Sequence, residues 1–283
     1  MLATVLLALA ASACWGTSDF TSGFKARTVP LAVVLTLTQG IGLVLAVVIV
    51  AAAGRGLPGA GPALASLGAG FCVIAGLGCF YRALATGTMS IVAPTAATGV
   101  VIPVIAGVLS GDRLAAVQVI GMFGAVVGVV LAARQPDAEA SQGDRRIHRE
   151  AVALALVSAA AFGCYFLLAH IGARGGVGWL LLLAHVTSVI GALAMVALAR
   201  QARPPALGGD LGVLLLAGAL DFAATGLYGL ANRHGQLSIV AVAGSLYPVA
   251  TVLLARWVLR ERIVRLQAVG VGLAVAGVAL IAA

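Results

Sequence analysis

Charge is what this sequence has least of. Asp, Glu, Lys and Arg make up 9% of its 283 residues, against about 25% in a soluble globular chain. With 17 basic and 9 acidic side chains, it cannot cover a water-facing surface. That excludes a cytosolic enzyme, a nucleic-acid binder and a disordered chain. The signatures of intramembrane and nucleotide-driven chemistry are missing too. There is no HExxH, no GxSxG, no GxGD and no Walker A sequence, so ATP-driven transport by this chain alone is not expected. The four cysteines, Cys14, Cys72, Cys79 and Cys164, form neither a CxxC pair nor a cluster with histidine. They read as small buried apolar residues; no metal site, cofactor or catalytic residue is expected. The N-terminal stretch lacks the basic segment of a signal peptide, so it reads as a retained first membrane span.

What the sequence does have is grease and small residues. It is 62% hydrophobic with 37 glycines, and its mean hydropathy is +1.13. A bilayer core of about 30 Å takes about 20 apolar residues of helix. Apolar windows fall near residues 2–23, 30–53, 63–83, 89–110, 115–134, 150–171, 177–199, 210–231, 236–258 and 265–283. The runs are continuous and lack period-two alternation, which favours helices over a barrel. The expected fold is an all-α membrane protein with ten transmembrane helices.

An internal repeat divides the chain. Gly111-Asp112-Arg113-Leu114, Gln118, Gly121, Gly128 and Leu131 match Arg260-Glu261-Arg262-Ile263, Gln267, Gly270, Gly277 and Leu280 at an offset of 149. Ser90-Ile91-Val92-Ala93 matches Ser238-Ile239-Val240-Ala241 at 148, and Tyr81, Gly16 and Arg27 match Tyr228, Gly163 and Arg174 at 147. The predicted organisation is a five-span repeat over residues 1–134, a polar linker over 135–149 and a second five-span repeat over 150–283. Five is odd, so the halves enter the membrane in opposite senses, the inverted plan of many secondary transporters. Thirteen Lys and Arg lie on one set of connections and four on the other. The positive-inside rule puts the richer set in the cytoplasm and both termini outside.

With these halves in view, the sequence resembles the EamA-like family of the drug/metabolite transporter superfamily. The residues that carry the resemblance are Trp15-Gly16, the run Tyr81-Arg82-Ala83-Leu84-Ala85-Thr86-Gly87, and Ser90-Ile91-Val92-Ala93-Pro94. In the second half they are Tyr247-Pro248, Glu261-Arg262 and Gln267 with Gly270 and Gly277. The first half departs by carrying Asp112 in place of Glu and Pro103 in place of an earlier proline. The resemblance implies export of amino acids, other metabolites or drugs. It also implies cytoplasmic termini, against the charge count, which we retain.

Candidate site residues follow from cost. An ionisable group inside a span costs about 2.5–3.5 kcal/mol on insertion scales. Asp221 sits mid-span in LAGALDFAATG and is the first candidate to exchange a proton or pair with a substrate ammonium; the bland alternative is a hydrogen bond to another helix. Asp19 lies nearer a span end, where Lys25 and Arg82 are expected to neutralise it. His185 and Gln39 sit at similar depths, with a proton relay weighed against simple packing for the histidine. Trp15, Tyr165 and Tyr247 are aromatic candidates for a cavity wall; Tyr81 and Tyr228, near span ends, read as interfacial. Pro94, Pro103 and Pro248 lie inside spans that are repeat mates, and paired helix interruptions point to a substrate site and its gating. Gly121, Gly124, Gly128, Gly270 and Gly277 suggest close packing within the fold or a homodimer through spans 5 and 10.

The expected function is secondary active transport of a small solute, amino-acid-like or cationic or zwitterionic, across a bacterial inner membrane. Alternating access, export and proton coupling complete that reading. A cationic-drug exporter of the same fold, an intramembrane enzyme and a passive channel remain as alternatives. The partners expected are the solute and membrane lipid, with no nucleic acid.

Overall fold

The computed structural model describes residues 2–54, 56–87, 89–132, 142–198, 208–259 and 265–282, and these are helical or in short connections. In order, the helices are α1 (Leu2–Lys25), α2 (Leu31–Ala53), α3 (Ala60–Thr86), α4 (Met89–Ala97), α5 (Val101–Leu109), α6 (Ala116–Ala132), α7 (Gln142–Ala173), α8 (Val177–Leu198), α9 (Asp210–His234), α10 (Leu237–Gly244), α11 (Tyr247–Leu259) and α12 (Arg265–Ala282). A lipid core offers no water to backbone amides, so each segment must close its hydrogen bonds internally, and helix is the local solution. Among the described residues, seven helical stretches are long and apolar enough to cross a membrane: α1, α2, α3, the Arg149–Ala173 part of α7, α8, α9, and α10 joined with α11. Shorter apolar stretches span Thr95–Leu109 and Ala116–Gly128.

Helix α7 begins at Gln142, inside the stretch read from the sequence as linker. Polar residues do not stop a helix that runs on beyond the apolar core. Positive-φ glycines end or join helices where an L side chain would strain, as at Gly54 after α2 and Gly176 before α8.

The surface is inverted relative to a soluble protein. Phe71, Phe123 and Trp257 are 68%, 74% and 80% exposed, an apolar exterior that water would not tolerate and lipid favours. The interior instead holds alanines and polar groups: Ser18, Ser22, Thr38, Gln39, His185, Asp19 and Asp221 are all buried. The protein is an integral membrane protein.

Two spans are interrupted. Between α4 and α5 lies a 3₁₀ turn, Thr98–Val100. Pro103 has no N–H to bond Gly99 four residues back, which removes one helical bond there. Between α10 and α11 the helix breaks at Ser245–Leu246, and Pro248 likewise leaves Gly244 without its i+4 donor. The backbone at these breaks packs on glycines of neighbouring helices. A methyl group at Gly16 of α1 would meet the Tyr247 carbonyl and Ala250, and one at Gly163 of α7 would meet the Gly99 carbonyl and Ile102. A smaller cavity of about 250 Å³ lies between the breaks, lined in part by Thr98, Val100, Ser245 and Leu246.

The glycine faces of α6 and α12 pack on each other inside the chain. A methyl at Gly277 would strike the backbone at Gly121 and Ala125. The cysteines are free, but not fully buried as the sequence reading had them. Cys14, Cys72 and Cys79 are half-buried, and Cys164 is exposed on its helix face.

Candidate functional site

Helices α1, α3, α7, α9 and α11 meet around a central cavity. It holds about 400 Å³ of empty space, its mouth included, and is lined by Trp15, Asp19, Val73, Leu77, Phe162, Tyr165, Phe166, Asp221, Thr225 and Tyr247. Helical spacing explains the set. Trp15 and Asp19, Val73 and Leu77, Phe162 and Phe166, and Asp221 and Thr225 are i, i+4 pairs, each presenting one face of its helix.

Two carboxylates therefore look into one buried space. Asp19 and Asp221 are 5% and 6% exposed. Each is held by a neutral donor from another helix. The Tyr81 hydroxyl donates to Asp19 Oδ1 at 3.1 Å, and Gln39 Nε2 donates to Asp221 Oδ2 at 3.1 Å. Behind Asp221 stands His185, with Nε2 3.9 Å from Asp221 Oδ2. Its Nδ1 lies 2.8 Å from the Leu181 carbonyl. A carbonyl only accepts, so Nδ1 carries the hydrogen, and Nε2 is the atom that can gain or lose one. Among the described residues Nε2 has no hydrogen-bond partner. Gly42 makes the slot for this ring: a methyl there would strike His185 Cδ2 and Nε2.

Aromatic rings form two clusters beside the acids. Trp15 lies edge-on to Tyr165 and Phe166 with centroids at 5.9 Å and 5.8 Å, and 5.4 Å from Tyr228. Phe80, Phe162 and Tyr247 contact one another edge-to-face at 5.6 to 6.3 Å. The Tyr165 hydroxyl reaches Thr225 Oγ1 at 3.4 Å. The Tyr247 hydroxyl is buried and has no partner among the described residues.

Five of the residues proposed from the sequence, Trp15, Asp19, Tyr165, Asp221 and Tyr247, line this one cavity. Gln39 and His185 stand behind it, both against Asp221. Pro103 and Pro248 lie at the helix breaks and not in the lining, and nothing is described of the Pro94 side chain. Two expectations about these residues are corrected. Lys25 does not neutralise Asp19 but pairs with Asp210 at 2.6 Å, and Arg82 faces Glu150 at 3.4 Å. Both basic side chains pair with an acid on another helix, leaving Asp19 to the Tyr81 hydroxyl. Tyr81 is itself buried rather than interfacial. Asp112 accepts from the Ser238 backbone N–H at 2.9 Å and its hydroxyl at 2.8 Å. It thereby caps α10. Glu261 and Arg262 lie outside the described residues.

The lining residues missed from sequence are Val73, Leu77, Phe162, Phe166 and Thr225. The available signals were the repeat, which sets Phe162 opposite Trp15, and the i+4 step from Asp221 to Thr225.

No curated protein matches the chain. A solved structure described only as the crystal structure of a protein is 19% identical, with a TM-score of 0.73 over 98% of this chain and 95% of its own. At that identity the likeness is one of fold. The family model for EamA-like transporters matches residues 2–134 and 149–283. The cavity thus sits at the centre of a membrane protein that belongs to the EamA-like transporter family of the drug/metabolite transporter superfamily.

Proposed function

We propose that the chain is a secondary active transporter that exports a small amino-acid-like, cationic or zwitterionic metabolite across the bacterial inner membrane by alternating access, with protons as the coupling ion. The observation that carries this is the central cavity with two buried carboxylates, one of them beside an imidazole nitrogen free to take a proton.

The reading includes an inverted repeat of two five-span halves. Counting α4 with α5 and α10 with α11 as single broken spans gives ten. Packing supports the duplication. Gly16 of α1 faces the backbone at Tyr247, and Gly163 of α7 faces the backbone at Gly99; both members of the first pair map onto the second at offsets of 147 and 148. Likewise α1 packs on α9 as α3 packs on α7, and α2 packs on α8 as α6 packs on α12. Trp15 and Phe162, the centres of the two aromatic clusters, are repeat mates. We read the clusters as gates toward opposite faces, with the broken helices as the moving parts. A homodimer through α6 and α12 would use their outer faces, where Ile120 and Phe123 are exposed.

The test is proton-driven flux in proteoliposomes. Asp221→Asn is expected to abolish it while the protein still purifies as a folded monodisperse species. Normal transport by the variant across the pH range would make Asp221 structural and end this mechanism. Reporter tags at the two ends should both lie outside; tags on opposite faces would contradict the inverted plan.

A further inference from the structure

We infer that the cavity selects organic cations without a carboxylate, an amine or quaternary ammonium on a small apolar body, and rejects the corresponding amino acid. This rests on the transport reading above and narrows it.

The argument is charge balance. The lining carries two carboxylates, Asp19 and Asp221, and its described residues include no Lys or Arg. The basic side chains nearest in sequence on α1 and α3, Lys25 and Arg82, face Asp210 and Glu150 instead. The neutral donors already engage the acids: Tyr81 bonds Asp19 and Gln39 bonds Asp221. A zwitterion would bring a third carboxylate into this space with no cation to meet it, and an unpaired buried charge is strongly disfavoured. An ammonium instead offsets charge that the two acids bring to the same space.

A second observation points to a polar ligand at this place. Tyr247 lines the cavity and is 3% exposed, and its hydroxyl is buried with no hydrogen-bond partner among the described residues. It can accept from an ammonium N–H that also reaches a carboxylate. The other walls are Trp15, Phe162, Tyr165 and Phe166. Their faces attract a cation and their bulk accommodates an apolar body. To a carboxylate or phosphate this lining offers only the single neutral donors of Trp15, Tyr165, Thr225 and Tyr247, with none of the paired cationic donors of a guanidinium.

Phenylalanine and phenethylamine differ only by the carboxylate and make a matched pair of probes. Isothermal titration of the full chain in nanodiscs should show phenethylamine binding at least ~10-fold tighter than phenylalanine, the value of one charge-assisted interaction. The neutral N-acetyl derivative should bind as weakly as the amino acid. Asp221→Asn and Asp19→Asn should each weaken the amine ~10-fold or more, and Tyr247→Phe, which removes only the unpartnered hydroxyl, severalfold. Phenylalanine binding as tightly as the amine overturns the assignment, as does failure of both probes to bind wild-type protein. The wild-type comparison does not depend on whether a variant folds. The transport reading fails on a different result: no saturable counterflow in vesicles loaded with either probe.

Discussion

The two acids in the cavity have different company. Asp19 is held by the phenol of Tyr81, a group that stays a hydrogen-bond donor at neutral pH. Asp221 is held by an amide and faces an imidazole whose Nε2 has no other partner among the described residues. One acid has a fixed neighbour and the other has a neighbour that can change charge. In our reading this divides the labour. Asp19 gives the cavity a standing acceptor for the solute, while Asp221 with His185 exchanges the proton. The asymmetry is not inherited from the repeat. Asp19 maps onto Phe166 and Asp221 onto Ile74 or Val73, so each acid is peculiar to its half.

The sharpest way to break the comparison is to neutralise each acid in turn. Asp221→Asn is expected to lower proton-driven flux ~100-fold or more, the scale on which a positioned proton-exchanging group acts. Asp19→Asn should lower the rate ~10-fold, one charge-assisted contact, and leave the response to an imposed pH gradient intact. Equal losses, with proton dependence gone in both, would make the two acids one unit. His185→Gln comes next. It keeps a polar side chain but removes the titratable nitrogen, so counterflow should persist while proton-driven flux falls ~10-fold or more. An unchanged gradient response would reduce His185 to packing.

Gly42 sharpens the same side by steric means. A methyl there meets the imidazole at Cδ2 and Nε2, whereas one at Gly40, two residues away, meets nothing within 4 Å. Gly42→Ala should move the ring off Asp221 and reproduce a weaker His185→Gln, severalfold in flux. It should also cost about 1–3 kcal/mol of stability, as overpacking does. Gly40→Ala should match wild type in both flux and melting temperature.

The cavity acids were legible in the sequence because lipid makes charge rare. Of nine acidic residues, Asp19 and Asp221 lie within apolar runs, and burying a carboxylate needs a purpose or a partner. The helix interruptions were legible as well, since Pro103 and Pro248 remove an N–H wherever they stand. Partners were not legible. Tyr81 reaches Asp19 across 62 positions, and whether it points inward depends on how α3 is rotated against α1, which local periodicity does not encode. Its place near the end of an apolar window suggested an interface instead. Phe162 and Phe166 were hidden for a related reason. In a membrane helix an apolar residue suits lipid and cavity equally, so hydropathy cannot tell the wall of a site from the outside of the protein.

The smallest effect tests the company of Asp19 most directly. Tyr81 and its repeat mate Tyr228 are both fully buried, at 1% and 0% exposure, and each sends a hydroxyl to a position that the repeat makes equivalent. Tyr81 donates to the Asp19 carboxylate at 3.1 Å, Tyr228 to the Phe166 carbonyl at 3.3 Å. Bonds to charged groups contribute about 1.5–3 kcal/mol and neutral ones about 0.5–1.5 kcal/mol. Tyr81→Phe should therefore lower the melting temperature in detergent more than Tyr228→Phe, and only Tyr81→Phe should weaken binding of a cationic solute. Because membrane proteins often unfold irreversibly, the comparison is of the two variants at one scan rate. Equal melting shifts with no change in binding would mean that Asp19 is not ionised when it accepts from Tyr81. The standing charge in the cavity would then belong to Asp221 alone.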